Sequence, residues 1–151
     1  MSQWLQIAAV ARIDDFRCEP VSVEEATAKF EQIFGKECSW ESGDFRDAFE
    51  HSDKYLPMGS EGSLTMSIWV NPDTHCLDSY TVSIFGSLRD MGETEADDIL
   101  TWFKNKISSE LSPNGLGARN AVIDIESEFH SHKVWVYNRD NLATEFSHGG
   151  K

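Results

Sequence analysis

Hydrophobic and polar residues alternate along several stretches of the chain, a pattern typical of β-strands that bury one face. The first stretch covers residues 3–13, the second residues 63–71 and the third residues 79–88. The second and third are separated by Asn71-Pro72-Asp73, which favours a turn, so we expect them to form an antiparallel hairpin. A second hairpin is predicted from the alternation in residues 121–126 and 134–137, with a short turn around Ser131.

Two other stretches repeat apolar residues at the spacing of an α-helix. The first begins at Ser22, which has capping-box spacing to Glu25, and Gly35 favours its end. Its apolar stripe consists of Val23, Ala26, Phe30, Ile33 and Phe34. The second helix is predicted over residues 94–111, followed by Pro113 and Gly115. Its apolar stripe consists of Ala96, Ile99, Leu100, Phe103, Ile107 and Leu111.

The order strand, helix, strand, strand, helix, strand is that of a ferredoxin-like split βαβ unit. We therefore predict an α+β fold: a ferredoxin-like βαββαβ antiparallel sheet with two helices on one face and an extra C-terminal strand. Residues 1–137 form a single domain in this interpretation, and the polar residues 138–151 form a flexible tail. The length of 151 residues agrees with one domain.

The second face of this sheet would carry Trp69, Phe85 and Trp4. Residues 36–62 form a long irregular excursion, with a short helix predicted near residues 45–52. Two alternatives follow from this arrangement. Either the excursion covers the second face, or that face remains an interaction surface.

The charge of the chain changes the set of partners that we expect. The sequence has 26 acidic and 13 basic residues, a formal net charge of −13. Such a charge repels phosphate backbones and anionic lipids, which disfavours direct binding to nucleic acid or to a membrane. The sequence lacks an apolar run long enough for a membrane span and a basic signal-peptide region, so we expect a cytoplasmic protein. Cys18, Cys38 and Cys76 are far apart and predict reduced thiols.

The negative charge is concentrated in the first two thirds of the chain. Residues 1–60 carry 12 acids and 6 bases, residues 61–110 carry 9 and 3, and residues 111–151 carry 5 and 4. Two acidic clusters account for much of this excess. The first cluster consists of Glu41, Asp44, Asp47, Glu50 and Asp53, and the second consists of Asp90, Glu93, Glu95, Asp97 and Asp98.

The first acidic cluster places an acid at every third position, which on an α-helix forms a slanted acidic band. Phe45 and Phe49 would then anchor the other side of that helix to the protein body. Carboxylates about 5–6 Å apart on a helix approximate the spacing of nucleic-acid phosphates, so such a band can occupy a basic groove. The alternative for both clusters is a solvated surface, since acids near a helix start also stabilise the helix dipole.

Candidate catalytic or metal-binding chemistry is sparse. His130 and His132 form the closest histidine pair, but no third zinc ligand follows from the spacing, and the pattern favours an exposed turn over a zinc site. The calcium-binding EF-hand pattern is absent. Trp40, Trp69, Trp102 and Trp135 suit core packing or stacking, and we expect Trp102 to be exposed, because Phe103 beside it belongs to the apolar stripe. We expect no enzyme activity, no metal and no cofactor.

A resemblance adds a biological context. Residues 55–64 (YLPMGSEGSL), 69–73 (WVNPD) and 80–86 (YTVSIFG) resemble small, uncharacterised acidic accessory proteins of phages and mobile elements of gut Firmicutes, over most of residues 3–137. This resemblance brings no functional motif. It implies an accessory role such as counter-defence.

The sequence thus favours a non-enzymatic binding protein, such as a phage counter-defence inhibitor. Its two acidic clusters would dock the basic nucleic-acid-binding groove of a host defence enzyme by nucleic-acid mimicry. A second hypothesis is a small-molecule binder or sponge for a nucleotide signal. It requires a concave pocket with aromatic residues on which at least one of Arg12, Arg89, Arg119 and Arg139 converges. A third is a metal-dependent hydrolase that uses the His130 and His132 region.

Overall fold

The computed structural model describes residues 3–17, 21–38, 45–72, 79–128, 131–140 and 142–149, with the backbone alone at 45, 142–144 and 148–149. The strands are β1 Trp4–Asp15, β2 Gly62–Val70, β3 Tyr80–Arg89, β4 Leu116–Ser127, β5 Ser131–Asn138 and β6 Leu142–Gly149. The α-helices are α1 Val23–Phe34, α2 Phe45–Glu50 and α3 Glu93–Asn105. None of the helices in these described ranges is long and apolar enough to cross a membrane.

The strands form one six-stranded antiparallel sheet with the order β2-β3-β1-β4-β5-β6. Both predicted hairpins are confirmed, because β2 pairs with β3 and β4 pairs with β5. The sheet differs from the predicted four strands plus one, because β5 and β6 both extend the edge beyond β4.

Strand β6 lies where the sequence predicts a polar tail over residues 138–151. It pairs with β5 from Asn138↔Leu142 to Ser131↔Gly149. Its described side chains, at residues 145–147, are exposed, so the strand depends on backbone pairing with β5 and shows little apolar alternation. Strand β4 also begins earlier than the alternation predicts, at Leu116, since Gly117, Arg119 and Asn120 obscure its pattern.

Strand β1 lies at the centre of the sheet and separates two unlike faces. Its odd-numbered residues are buried, and they form one core with the apolar stripes of α1 and α3. Phe30 of α1 contacts Tyr80 of β3 at 5.2 Å between ring centroids, and Phe103 of α3 contacts Trp135 of β5 at 6.0 Å. The two long helices therefore cover the same face of the sheet, and we call the other face the open sheet face.

The predicted ends of α1 are confirmed at both termini. The Ser22 hydroxyl accepts a hydrogen bond from the Glu25 amide at 3.1 Å, which satisfies a donor in the first turn. Gly35 ends the helix, and its amide donates to the Glu31 carbonyl at 2.9 Å. Val23 departs from the predicted apolar stripe, because it lies in the first turn and is exposed.

The second predicted helix, residues 94–111, is divided in the structure. Helix α3 ends at Asn105 and continues as a π-helical turn, Lys106–Glu110, and a 3-10 turn, Ser112–Asn114. Ile107 and Leu111 remain buried in the core through these turns. The apolar stripe therefore identifies the buried side correctly, although the helix has a larger diameter in the π-helical turn and a smaller one in the 3-10 turn.

The excursion after α1 packs against the helical side of the protein. Lys36 pairs with Tyr55 in an isolated parallel bridge, with the Leu56 amide donating to the Lys36 carbonyl at 2.8 Å. The short predicted helix is present as α2, followed by a 3-10 turn, Ser52–Lys54. The described part of the excursion contacts α1 and α3, and so leaves the open sheet face uncovered.

Gly35 is required where the excursion meets α1. Its φ is +120°, and a Cβ added there would lie 2.4 Å from the Tyr55 carbonyl carbon. We expect Gly35→Ala to lower the free energy of unfolding by about 2–4 kcal/mol through backbone strain and displacement of Tyr55. The matched control is Gly92→Ala, where the nearest atoms lie at 3.6 Å. Urea unfolding measures both variants, and equal stability of the two would contradict this interpretation.

Two adjacent acids at the end of β1 are buried. Asp14 is fully buried, 0% exposed, beneath the guanidinium groups of Arg119 and Arg139. Asp15 lies on the helical side, where it accepts a hydrogen bond from the Tyr80 hydroxyl at 3.3 Å and lies 3.8 Å from the Lys29 ammonium. Each buried carboxylate is therefore compensated by cations from other elements, as burial of a charge requires.

Because two arginines compensate the charge of Asp14, we expect even a nearly isosteric substitution there to destabilise the fold. Asp14→Asn removes the negative charge and turns an amide donor toward two cations, which we expect to lower the free energy of unfolding by about 2–4 kcal/mol. Asp140→Asn is the control, because Asp140 is exposed in the turn after β5. Chemical denaturation of both variants tests this, and a loss for Asp14→Asn no larger than for the control would refute it.

Candidate functional site

A groove lies between the excursion and α3, on the helical side of the protein. It has a volume of about 300 Å³. Its lining residues, which define what we call the acidic groove, are Ala48, Ser52, Tyr55, Leu56, Pro57, Met58, Met91, Glu95, Asp98, Ile99 and Trp102. This lining combines an apolar floor with two carboxylates and contains no lysine or arginine.

The apolar floor is built by the segment that the Lys36–Tyr55 bridge fixes in place. Tyr55 and Leu56 are buried, and the Tyr55 hydroxyl donates a hydrogen bond to the Asp47 carboxylate of α2. This bond ties α2 to the excursion. Met58 packs against the small cluster formed by Cys38, Ala48 and Tyr55. The floor is thus held from α1, from α2 and from within the excursion itself.

Trp102 forms the wall of the groove on α3. It is partly buried and contacts Phe34 at 6.3 Å between ring centroids. Trp102 is more exposed than its buried neighbour Phe103, as predicted, although its ring also bridges α3 and α1. Trp69 is more exposed, at 54%, whereas Trp135 is buried in the core.

The first acidic cluster is divided among several local structures. Asp47 and Glu50 lie on α2, and Asp53 lies in the following 3-10 turn. Glu41 and Asp44 fall outside the described residues. Helix α2 ends at Glu50, so the described part of the cluster does not continue as one helical band.

The packing of α2 also differs from the prediction. Ala48 is its buried residue, and Phe49 is 78% exposed. The expectation that Phe49 anchors the helix is therefore wrong. A helix of six residues has too few turns for its apolar spacing to define the buried side. The side chain of Phe45 lies outside the described part of the structure.

The second acidic cluster surrounds the start of α3 and makes several internal contacts. Glu95 accepts a hydrogen bond from the Gly92 amide at 3.1 Å, and Glu93 accepts one from the Ser131 hydroxyl. Asp97 forms an ion pair with Lys133 at 2.9 Å, and Asp90 accepts from the Ser60 hydroxyl at 2.5 Å. Most of this cluster thus has a structural role.

The ion pair between Asp97 and Lys133 joins α3 to β5. The hydrogen bond to Asp97 raises the pKa of Lys133 above its ordinary value, against a smaller opposing effect of burial. A raised pKa in the folded state stabilises the fold at neutral pH, and this contribution is lost only as the pH rises past the ordinary lysine range. Asp98, the next residue along α3, points away from Lys133 and remains exposed at the groove.

The two acidic clusters line different grooves on the helical side of the protein. The Asp90 amide donates to the Gln3 carbonyl at 2.7 Å, which places the second cluster beside the start of β1. Asp98 of this cluster and the segment following Asp53 of the first line the same groove. A second groove, between α1 and the excursion, includes Asp47 and Asp53 in its lining. The described acids of the two clusters therefore line two separate grooves that share Tyr55, and Lys36 and Lys54 also line the second groove.

The sequence does not identify the apolar floor of the groove as part of a site. Tyr55, Pro57 and Met58 form a short apolar run inside a polar excursion, which was the available signal. Met91 precedes the acidic start of α3 and carries no pattern of its own. Long-range contacts place these residues next to α3: the bridge between Lys36 and Tyr55, and the hydrogen bond from the Ser60 amide to the Arg89 carbonyl at 3.1 Å.

The histidine pair is only partly described. His132 lies in β5, and its Nε2 is 2.9 Å from an Asp124 carboxylate oxygen on the open sheet face. It therefore belongs to a strand instead of an exposed turn. His130 lies outside the described residues, and within the described ranges no three His, Cys, Asp or Glu side chains are grouped as metal ligands. Cys38 is buried, while Cys18 and Cys76 are not described.

The four arginines named with the small-ligand hypothesis separate into two groups. Arg89 lies near the start of β1 and pairs with Glu61 at 2.6 Å, a contact that raises the pKa of Arg89 further. Arg119 and Arg139 converge on Asp14 at the other end of β1. Arg12 precedes Asp14 by two residues on the same strand.

Comparisons of the chain with protein-family models, with curated proteins and with solved structures find no match.

Proposed function

We propose that this protein is a non-enzymatic binding protein whose acidic groove receives a basic partner. The partner is a protein surface that presents lysine or arginine side chains together with an apolar anchor. The single observation that supports this proposal is a groove in which Glu95 and Asp98 border an apolar floor and which no lysine or arginine lines. An apolar core with a charged rim is the usual composition of a specific protein interface.

The charged and the apolar residues of the groove would have different roles in binding. Asp98 and Asp53 are exposed and have the same sign, so they would attract a basic partner over long range and accelerate association. Met58, Met91 and Trp102 offer partly buried apolar surface for a side chain of the partner. Methionine side chains adapt to irregular partners, which suits such a floor.

We propose further that the partner is an enzyme with a basic nucleic-acid-binding groove. The surface around the acidic groove would occupy that site by mimicking nucleic acid. The net charge of −13 and the pI near 4.6 agree with this choice. In the phage accessory context that the resemblance implies, the host enzyme would be a defence protein and the role would be counter-defence in the cytoplasm. The ferredoxin-like class is likewise proposed for β1–β4 with α1 and α3, supported by their βαββαβ sequence order.

Charge reversal at exposed residues of the two acidic clusters tests the proposal directly. The variant Glu50→Lys, Asp53→Lys, Asp98→Lys changes three exposed acids, and the ion pair of Glu50 with Arg46 that it removes lies at the surface. We expect capture of nucleic-acid-binding enzymes from a host lysate at low salt to fall by at least tenfold, because long-range attraction is replaced by repulsion. Captured proteins are identified by mass spectrometry, and affinity is then measured with the purified partner.

The matched control is Glu24→Lys, Glu126→Lys, Asp140→Lys. It makes the same change in net charge at exposed positions away from the groove. A loss specific to the first variant, and competition between this protein and the partner's own nucleic acid, are the expected results. If both variants lose binding equally, net charge alone explains the interaction and the groove assignment fails.

The apolar floor is tested separately from the charges. Met91→Gln keeps the side-chain length but places a polar group in the groove. We expect it to weaken binding about five- to tenfold at every salt concentration, because loss of apolar burial is not screened by ions. Surface plasmon resonance across a salt series distinguishes this from the charge reversal, whose effect should shrink as salt increases. A salt-dependent effect of Met91→Gln would contradict the role of the floor.

A further inference from the structure

The open sheet face presents apolar side chains to solvent across most of its width. Trp69 on β2 and Phe85 on β3 are 54% and 47% exposed, and Phe146 on β6 is 58% exposed. Between them, Val122 on β4 and Val136 on β5 are 37% and 38% exposed. Large apolar side chains that share an exposed face mark an interaction surface.

The middle row of this face is uncharged. The strand register places six residues side by side in it, one from each strand: Ser67, Ser83, Val10, Val122, Val136 and Thr144. Three adjacent valines thus occupy the centre of the face, and we call this row the valine row. An uncharged centre between charged ends is the composition of an interface core and its rim.

Two shallow depressions lie on the open sheet face toward the start of β1. The larger has a volume of about 520 Å³ and is lined by Trp4, Gln6, Ser87, Glu126 and Glu128. The smaller, of about 320 Å³, shares Gln6 and Ser87 with it and includes Asp124. Neither described lining contains a lysine or an arginine. The Asp124 carboxylate lies 2.9 Å from Nε2 of His132, so it keeps a hydrogen-bond partner when the face is covered.

The other end of β1 carries the opposite charge. Arg119 and Arg139 both contact the buried carboxylate of Asp14, so these three groups together have one positive charge. The two arginine side chains are 39% and 38% exposed, and their guanidinium groups have more N–H donors than one carboxylate can accept. Arg139 is fixed by a hydrogen bond from Nε to the Ala118 carbonyl at 3.2 Å, and it lies 5.5 Å from the ring centroid of Phe16.

The two ends are placed symmetrically about the valine row. Gln6 lies four residues before Val10, and Asp14 lies four residues after it. At about 3.3 Å per residue, each distance is about 13 Å. A two-fold axis that crossed the strands at the valine row would therefore lay the arginines at Asp14 of one copy over the acid-lined depression at Gln6 of the other. An axis along the strands would instead bring like charges together.

We propose that a second copy of this chain covers the open sheet face, and that the two copies form a symmetric dimer. Each strand packs antiparallel over its own counterpart, and the twist of the sheets sets an angle of about 30° between them. The interface is isologous, so each contact between arginine and acid forms twice. The dimer is independent of the partner proposed for the acidic groove, because that groove lies on the helical side of each copy.

The size of the open sheet face agrees with this occupant. The sheet has six strands, and its two shortest strands at the β5–β6 edge have eight residues each. At about 4.8 Å per strand and about 3.3 Å per residue, the face measures about 750 Å². A standard stable interface buries about 800 Å² per partner. The face therefore has the area that a stable dimer needs.

The net charge of −13 per chain opposes this packing only weakly. Both grooves that the acidic clusters line are on the helical side, which stays outermost in the dimer. Packed sheets are about 10 Å apart, and a helix layer adds about 10 Å on each side. The acidic surfaces of the two copies are then about 30 Å apart, about three Debye lengths at physiological salt.

Sedimentation equilibrium of the whole protein over about 1–500 µM tests the association. We expect the mass to rise from the 17.1 kDa of one chain to twice that value. Val122→Lys places a lysine of each copy at the axis, so it should raise the dissociation constant about 100-fold. Val23→Lys is the matched control, because it makes the same change on α1, where Val23 is 52% exposed. It should leave the dissociation constant nearly unchanged.

Two milder variants separate association from folding. Val136→Thr keeps the β-branched shape, so it should weaken the dimer about three- to tenfold and leave the circular dichroism spectrum unchanged. Glu126→Gln removes an acid that faces the arginines of the second copy. It should weaken the dimer about threefold at low salt and less at high salt. Glu24→Gln, an exposed acid of α1, is its control and should have no effect.

The proposal is overturned if the mass stays that of one chain throughout the series, or if Val122→Lys and Val23→Lys associate equally. A dimer that Val122→Lys leaves intact would mean that another surface, such as the β6 edge, joins the copies. If Val122→Lys does not fold, Val136→Thr decides by the same comparison with Val23→Lys. Equal association of Glu126→Gln and Glu24→Gln at low salt would overturn the orientation of the axis.

Discussion

The central position of β1 is the constraint on which the rest of the structure depends. Its odd-numbered side chains have to be buried, and α1 and α3 cover them on one face. Its even-numbered side chains then face outward together with those of β3 and β4, its two neighbours in the sheet. Because a strand has a strict period of two, one choice of register assigns every residue of the sheet to the core or to the open sheet face.

Local signals explain which parts of the fold could be predicted from the sequence. The cap at Ser22, the stop at Gly35 and the alternation in β2 and β3 depend on neighbouring residues, and the structure agrees with them. Strand β6 is held by backbone pairing with β5, so its sequence shows no clear alternation of apolar and polar residues. The exposure of Phe49 could not be predicted either, because the choice of buried side on a short helix is made by the excursion around it.

The candidate site shows the same division between local and long-range information. The acidic clusters are visible in the sequence, but their internal contacts to Gly92, Ser131 and Lys133 are not. Through those contacts, several acids of the clusters stabilise the fold. Asp98 is then the exposed acid of α3 that lines the groove. The apolar floor and the convergence of Arg119 and Arg139 on Asp14 both join segments far apart in the chain, so neither could follow from spacing alone.

The positions of Asp90 and Asp14 near opposite ends of β1 have a consequence for the molecule as a whole. Strand β1 has 12 residues. At about 3.3 Å per residue it is close to 40 Å long, several times the distance over which salt screens exposed charges. The ion pairs of Asp14 and the contacts of Asp90 are therefore electrostatically independent, and the effects on stability of substitutions at the two ends should add.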